Sequence, residues 1–161
     1  MSNKNFQIAN YQKASMIDMP GCVSCVIFTQ GCNCNCEYCH NKESIPMTPG
    51  AVTREEVEAF LVKRANILDA VVFSGGEPTL QEGLFDMLFY CKILNYKVGL
   101  HTNGLGPHYK SVAGWCDYIL LSHYTEKSIE IGMDAKALSL STVVKNETKK
   151  GGWENVIKKI K

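Results

Sequence analysis

Six of the chain's eight cysteines fall within residues 22–39, and four of those sit in one run, GCNCNCEYCHNK at 31–42. Clustered thiols point to disulfides or to metal or redox chemistry, so the loop constrains the fold more than any other feature. The N-terminal stretch MSNKNFQIANYQK has no apolar core of the kind a secretory signal carries. A cytoplasmic, reducing setting is therefore expected, and there clustered cysteines point to metal or redox chemistry instead of disulfides. Cys32, Cys36 and Cys39 have the spacing C-x3-C-x2-C. Three thiolates on one loop can hold three irons of a cubane cluster and leave the fourth iron open to a ligand. A four-cysteine site mostly carries electrons only. The competing reading is a structural zinc site built from Cys36, Cys39 and two further ligands.

The rest of the composition narrows the field by exclusion. Lys plus Arg is 17 and Asp plus Glu is 16, a formal net charge of +1. That balance suggests no nucleic-acid partner and no membrane surface as a target. No apolar stretch approaches the roughly 20 residues of a membrane helix. A length of 161 residues fits one domain, taken here as 1–161.

Short apolar runs alternate with helical patterns along the chain. Val26–Phe28 reads as a strand leading into the cysteine loop. Residues 53–65 read as a helix, with Thr53 as N-cap and Glu56 three residues on, a capping box, and Val57, Phe60 and Leu61 on the apolar face. Ala70–Phe73 is a buried strand before a Gly-Gly turn. Residues 81–94 form a second helix with Leu84, Leu88 and Cys91 inward. Lys97–Leu100, Tyr118–Leu121 and Leu138–Val144 read as further strands. A short helix is expected around 108–115, a last one over 152–160, and a sixth strand around Phe6–Ile8. Strands separated by helices imply parallel βαβ crossovers. Five or six parallel strands are too few for a closed eight-stranded barrel, so the fold class is α/β, a partial, open (β/α) barrel. Each polar motif follows a strand, so all should gather at the strands' C-terminal ends.

The cysteine loop resembles the cluster loop of the radical S-adenosylmethionine (SAM) superfamily, including the aromatic Tyr38 before the last cysteine. MIDMPG at 16–21, VIFTQGC at 26–32 and CHN at 39–41 are similar to activating enzymes of glycyl-radical enzymes, most of all those serving anaerobic ribonucleotide reductase. That resemblance implies two cofactors, a [4Fe–4S] cluster on Cys32, Cys36 and Cys39 and SAM chelated at the unique iron, with Tyr38 near the adenine. Reduction would cleave SAM to methionine and a 5′-deoxyadenosyl radical. The family motifs place Gly75, Gly76 and Glu77 of FSGGEPTL at the SAM amino group. His101, Thr102 and Asn103 match a polar strand end of the SAM site, although many relatives carry an acid where this chain has His101. Ser122 and Thr142 fall at pocket-lining strand positions, with His123 as a possible polar substitute, and His40 and Asn41 flank the cluster.

Each of these residues also has a plainer reading. Gly75–Pro78 can be a helix-entry turn, Asn103-Gly104 a simple turn dipeptide, and His123 a structural histidine. Cys34, an extra thiol inside the loop, can compete for iron during assembly or simply face solvent, and is read as a bystander. Cys22 and Cys25 form a C-x-x-C that serves either as a redox or metal pair or as two small packing residues, because two ligands alone complete no site. Cys91 and Cys116 read as core thiols.

The resemblance implies an enzyme whose substrate is a glycyl-radical enzyme, with a low-potential electron donor such as flavodoxin or ferredoxin. A short, open barrel suits a protein substrate, since a metabolite needs enclosure. The rivals are a radical SAM enzyme acting on a small molecule, such as a deazaguanine synthase, a non-catalytic iron–sulfur carrier, and a zinc-binding interaction module.

Overall fold

The computed structural model describes residues 5–35, 39, 41–122 and 141–145, with the backbone alone for residues 122 and 141–145. Six strands form one open sheet in sequence order: β1 Ile8–Ser15, β2 Ser24–Thr29, β3 Ala70–Gly75, β4 Lys97–Thr102, β5 Tyr118–Ser122 and β6 Ser141–Lys145. β2 to β5 are parallel, as the alternation of strands and helices implies. The two edges depart from the expected all-parallel sheet. β1 begins at Ile8, later than the expected Phe6, and runs antiparallel to β2, because the short connection 16–23 permits a hairpin but no crossover. β6 also runs antiparallel to β5. It is the strand expected at 138–144, of which 138–140 lie outside the described residues, as does the expected helix 152–160.

The helices fall where the periodicity places them. α1 is Arg54–Arg64, and Thr53 caps it by accepting the Glu56 N–H at 3.2 Å. The Glu56 carboxylate accepts from the Tyr11 hydroxyl at 3.1 Å, tying α1 to β1. α2 is Leu84–Ile93, starting three residues later than expected because Gln81 is extended after the 3₁₀ turn Pro78–Leu80 and Gly83 is the N-cap. α3, Tyr109–Val112, continues into a 3₁₀ turn at Ala113–Trp115. Asn66 and Asn95 follow the ends of α1 and α2 with φ of 68° and 65°, the left-handed stop that asparagine tolerates.

The helices cover one face of the sheet. Ile27, Val71, Phe73, Val98, Leu100 and Ile119 meet Val57 and Leu61 of α1, Leu84, Met87, Leu88 and Cys91 of α2, and Val112 of α3. Each fully buried aliphatic or aromatic side chain contributes about 1.5–3 kcal/mol, and this layer holds most of them. The opposite face carries two rows of side chains. In the lower row Val26, Val72, Gly99 and Tyr118 lie abreast. The segment 16–22 folds over it, burying Met19 and Cys22 against Val26, Ala70, Val72 and Tyr118. At Gly99 a Cβ would lie 3.0 Å from Val72 Cγ2 on the neighbouring strand and in ordinary contact, 3.5 Å, with Met19 Sδ. One strand-repeat higher, Phe28, Ser74, His101 and Leu120 remain half-exposed. The sheet is therefore sealed on both faces below and open on one face near the C-terminal ends of the parallel strands. Among the described residues, no helix is long and apolar enough to cross a membrane.

Candidate functional site

Four strand ends meet at this open edge. The cysteine loop leaves β2, the glycine pair closes β3, His101 and Thr102 end β4, and Ser122 ends β5. The loop is pinned at its base by backbone bonds. Gly31 N–H donates to Ser44 O at 2.7 Å, Cys32 N–H to Ile45 O at 3.0 Å, and Glu77 N–H to Gly31 O at 2.8 Å. Gln30 reinforces it by donating its amide to the carbonyls of Glu43 and Pro46, at 3.0 and 2.8 Å. What the glycine pair approaches is the chain's own backbone. Gly75 has φ 102°, and a Cβ on it would sit 2.4 Å from Thr29 N; one on Gly76 would sit 2.2 Å from Gly31 O. Gly75 is glycine because the end of β3 lies against the backbone of β2, and Gly76 because the turn touches the start of the cysteine loop.

Glu77 is the centre of the arrangement. Its carboxylate is 1 % exposed and faces no cation in the contacts described; hydrogen-bond donors surround it instead. Oε1 accepts from Thr79 N–H at 3.1 Å and from the hydroxyls of Thr79 and Thr102. Oε2 accepts from Asn103 N–H at 2.8 Å. A buried carboxylate needs such compensation, and here it joins the ends of β3 and β4. Asn103 passes the connection on. Its side-chain amide donates to Asn33 Oδ1 at 2.8 Å and to Cys34 Sγ at 3.4 Å, reaching into the cysteine loop.

His101 points to the open face. Its Nε2 lies 2.9 Å from the Asp18 carbonyl, so the neutral ring donates there and anchors the 16–22 segment. Burial pushes its pKa below the ordinary imidazole value, partly offset by that hydrogen bond. Its ring meets Tyr118 edge-on at 6.3 Å.

The cysteines divide into two sets. Cys32 and Cys39 are half-buried and free of disulfides. Cys34 N–H donates to Cys32 Sγ at 3.4 Å, the kind of bond a ligating thiolate receives. Soft thiolates on a loop with such donors fit an iron–sulfur cluster. The Cys32 thiol is held well above the usual range, first by its hydrogen bond with the Cys34 side chain and then by burial. Binding of iron must displace that proton. Cys34 is 6 % exposed, so the expectation that it might face solvent is corrected: Asn103 draws it inward. Cys25, Cys91 and Cys116 lie in the helix-side core. Burial pushes Cys25 and Cys116 up to about 12 and raises Cys91 as well. Cys22 packs in the cluster on the opposite face from Cys25, so C-x-x-C is two packing residues and no metal pair.

Of the sequence-derived site residues, the fold brings Cys32, Gly75, Gly76, Glu77, His101, Thr102 and Asn103 to one edge. Cys36, Tyr38, His40 and His123 lie outside the described residues. Ser122 and Thr142 are fixed by backbone alone, Ser122 pairing with Ser141 and Thr142 with Leu121 near the same edge. Asn33, Thr79 and Asp18 were not singled out from sequence. Asn33 sits between two cysteines and was overshadowed by them, and Asp18 acts through a carbonyl that no side-chain pattern reveals.

Residues 26–161 match the radical SAM superfamily, a span that begins at β2 and takes in the whole of this edge. The chain belongs to that superfamily. The family's cofactors, a [4Fe–4S] cluster and SAM, suit the thiol loop and the half-exposed row beside it. Among curated relatives, the chain is 40% identical over 94 residues to a Methanocaldococcus jannaschii protein whose name provisionally places it with the glycyl-radical enzyme activating enzymes, covering 58% of this chain and 38% of that one. It is 34% identical over 122 residues to the pyruvate formate-lyase-activating enzyme of Clostridium pasteurianum, covering 71% and 51%. The pyruvate formate-lyase 1-activating enzyme of Escherichia coli K12 is 32% identical over 112 residues, covering 66% and 45%. The chain thus spans about two fifths to one half of these relatives. The crystal structure of QueE from Escherichia coli superposes with a TM-score of 0.53 at 18% identity, over 83% of this chain and 66% of that one, a likeness of fold.

Proposed function

We propose that the chain is a glycyl-radical enzyme activating enzyme, with Cys32, Cys36 and Cys39 as iron ligands. Tyr38, Gly75, Gly76, Glu77, His101, Thr102, Asn103, Ser122 and Thr142 form the SAM site around them. The observation that carries this reading is the bonded path from Glu77 through Asn103 to Asn33 and Cys34, which locks three strand ends into one platform beside the cysteine loop. When bound, the cluster and SAM would supply the electron and the radical chemistry needed to remove a hydrogen atom from a glycine Cα. The chain's own residues do the positioning. Glu77 orients Asn103 and Thr102 without cost at the moment of reaction, and Gly75 and Gly76 set the loop against β3. The row Phe28, Ser74, His101 and Leu120 offers a mixed apolar and polar floor for a nucleoside.

The open face above that row supports a protein substrate, since a partner's glycine loop can complete it. Docking then supplies the proximity that a shallow site lacks. The names of the relatives support a glycyl-radical enzyme as the class of partner. Within that class, the MIDMPG, VIFTQGC and CHN segments favour anaerobic ribonucleotide reductase, with a flavodoxin- or ferredoxin-type donor supplying the electron.

The test is to mix the anaerobically reconstituted, reduced protein with SAM and a candidate reductase. Expected are 5′-deoxyadenosine and a glycyl-type EPR doublet that collapses to a singlet when the partner's glycine is deuterated at Cα. SAM cleavage that no glycyl-radical enzyme changes, but that a small metabolite accelerates, would overturn the activase reading in favour of a small-molecule enzyme.

A further inference from the structure

We propose that the segment 152–160 docks as a helix on an aromatic patch that Phe85, Phe89 and Trp115 form on the outer side of the helix layer. α2 turns Leu84 and Leu88 into the core and leaves Phe85, Phe89 and Ile93 exposed, a stripe at i, i+4 and i+8. Phe85 and Phe89 stack with ring centroids 6.3 Å apart. Trp115 stands edge-on to both, at 5.7 and 6.5 Å, and is itself 47 % exposed. Aromatic side chains bury the largest apolar areas when covered, and a contiguous exposed apolar patch marks a contact surface.

The path of the chain names the occupant. β6 runs antiparallel to β5 and places Lys145 opposite Tyr118, three residues after Trp115. Paired strands lie about 5 Å apart and each residue spans at most ~3.6 Å, so the chain leaves β6 within about 15 Å of Trp115. The six residues 146–151 reach about 20 Å when extended, enough to bring the next segment to the patch. That segment reads GWENVIKKI. Trp153, Val156, Ile157 and Ile160 have the i, i+3, i+4 and i+7 spacing of one helical stripe, and Lys158 and Lys159 fall on the other side. The stripe is about 10 Å long, against about 12 Å from Phe85 to Ile93. A nine-residue helix does not hold alone in water, so it needs an apolar surface to form, and its tether reaches the one that α2 leaves uncovered. The chain's two tryptophans, Trp115 and Trp153, then share one contact. This contact needs no cluster and stands apart from the reading of the cysteine loop.

The experiment is hydrogen–deuterium exchange of the reconstituted protein, read by mass spectrometry over 152–160 beside a synthetic peptide of that sequence. Wild-type amides there should exchange about tenfold more slowly than in the peptide, or slower still. Phe89→Lys puts a charge within the patch and Ile157→Lys puts one in the stripe, and each should return the segment to the peptide's rate. Acrylamide quenching of Trp115, read in a Trp153→Phe background, should rise when Ile157→Lys is added. Ile157 lies outside the sheet and the helix layer, so this variant keeps the test decisive should Phe89→Lys fail to fold. Peptide-like exchange in the wild type would overturn the inference, as would protection that Ile157→Lys or a folded Phe89→Lys leaves in place. Protection that disappears on dilution, with sedimentation showing a dimer at the higher concentration, would assign the patch to a second copy and overturn it too.

Discussion

The two ends of the parallel strands are built from different chemistry. At the N-terminal ends the sheet is apolar on both faces, with Cys25, Val26, Val71, Val72 and Val98 fully buried and the 16–22 segment sealing the second face. At the C-terminal ends the chain is held by hydrogen bonds, among Gly31, Gly76, Glu77, Thr102 and Asn103. The cysteines show the contrast directly. Below, thiols fill space as small hydrophobes and burial keeps them protonated. Above, they sit on a loop with donors around their sulfurs. Apolar packing fixes the scaffold, while a polar frame leaves one edge open and still specific.

Substitutions at the two ends should separate accordingly. The largest effect is expected for Gly76→Ala, whose Cβ would meet Gly31 O at 2.2 Å. The loop must move off β3, with a loss of ~3 kcal/mol or more and a fall in iron bound on reconstitution. Gly114→Ala, with nothing within 4 Å of its Cβ, is the neutral control. Denaturant unfolding and iron analysis of both variants check this. Full iron with weakened SAM binding in Gly76→Ala would mean that the glycine serves the ligand instead of the loop. Glu77→Gln comes next. It turns an amide N–H₂ toward groups that already donate, at ~2 kcal/mol, and SAM binding should weaken as Asn103 loses its anchor. Isothermal titration with SAM reads this, and unchanged affinity would remove Glu77 from the site's support.

A smaller effect is expected below. Cys25→Ser puts a hydroxyl at a fully buried position for ~1–3 kcal/mol, with iron content unchanged. Iron loss in a folded Cys25→Ser protein would erase the distinction between the two ends. The smallest effect is pH dependence through His101. Its folded pKa is depressed, so the unfolded chain binds the proton first. This contribution is fully present above the unfolded value of about 6.5 and is lost progressively as pH falls below it. Urea midpoints at pH 7.5 and 5.5 should differ less in His101→Gln than in the wild type, and equal differences would contradict the assignment.

Strand and helix positions were legible because each rests on local signals: the apolar runs of β2 to β5, the Thr53 cap and the α2 periodicity. The antiparallel edges were not, since strand direction depends on connection length and pairing, which hydropathy does not encode. The convergence of motifs at one edge followed from their position after strands. The reason for the glycines did not. Their close neighbours, Thr29 N and Gly31 O, come from the end of β2 and the loop after it, and a turn that meets a ligand reads the same in sequence as one that meets its own chain. Cys34 was misplaced for a similar reason, because its burial is set by Asn103, 69 residues away.

The measurement that bears most directly on the account is iron and acid-labile sulfide per chain after anaerobic reconstitution, across single Cys→Ala variants of both sets. Cys32, Cys36 and Cys39 variants are expected to lose the cluster, while Cys25 and Cys91 variants retain about four irons per chain wherever they fold. A cluster retained in Cys32→Ala, or lost in a folded Cys91→Ala, would contradict the placement of the metal at the C-terminal edge of the sheet.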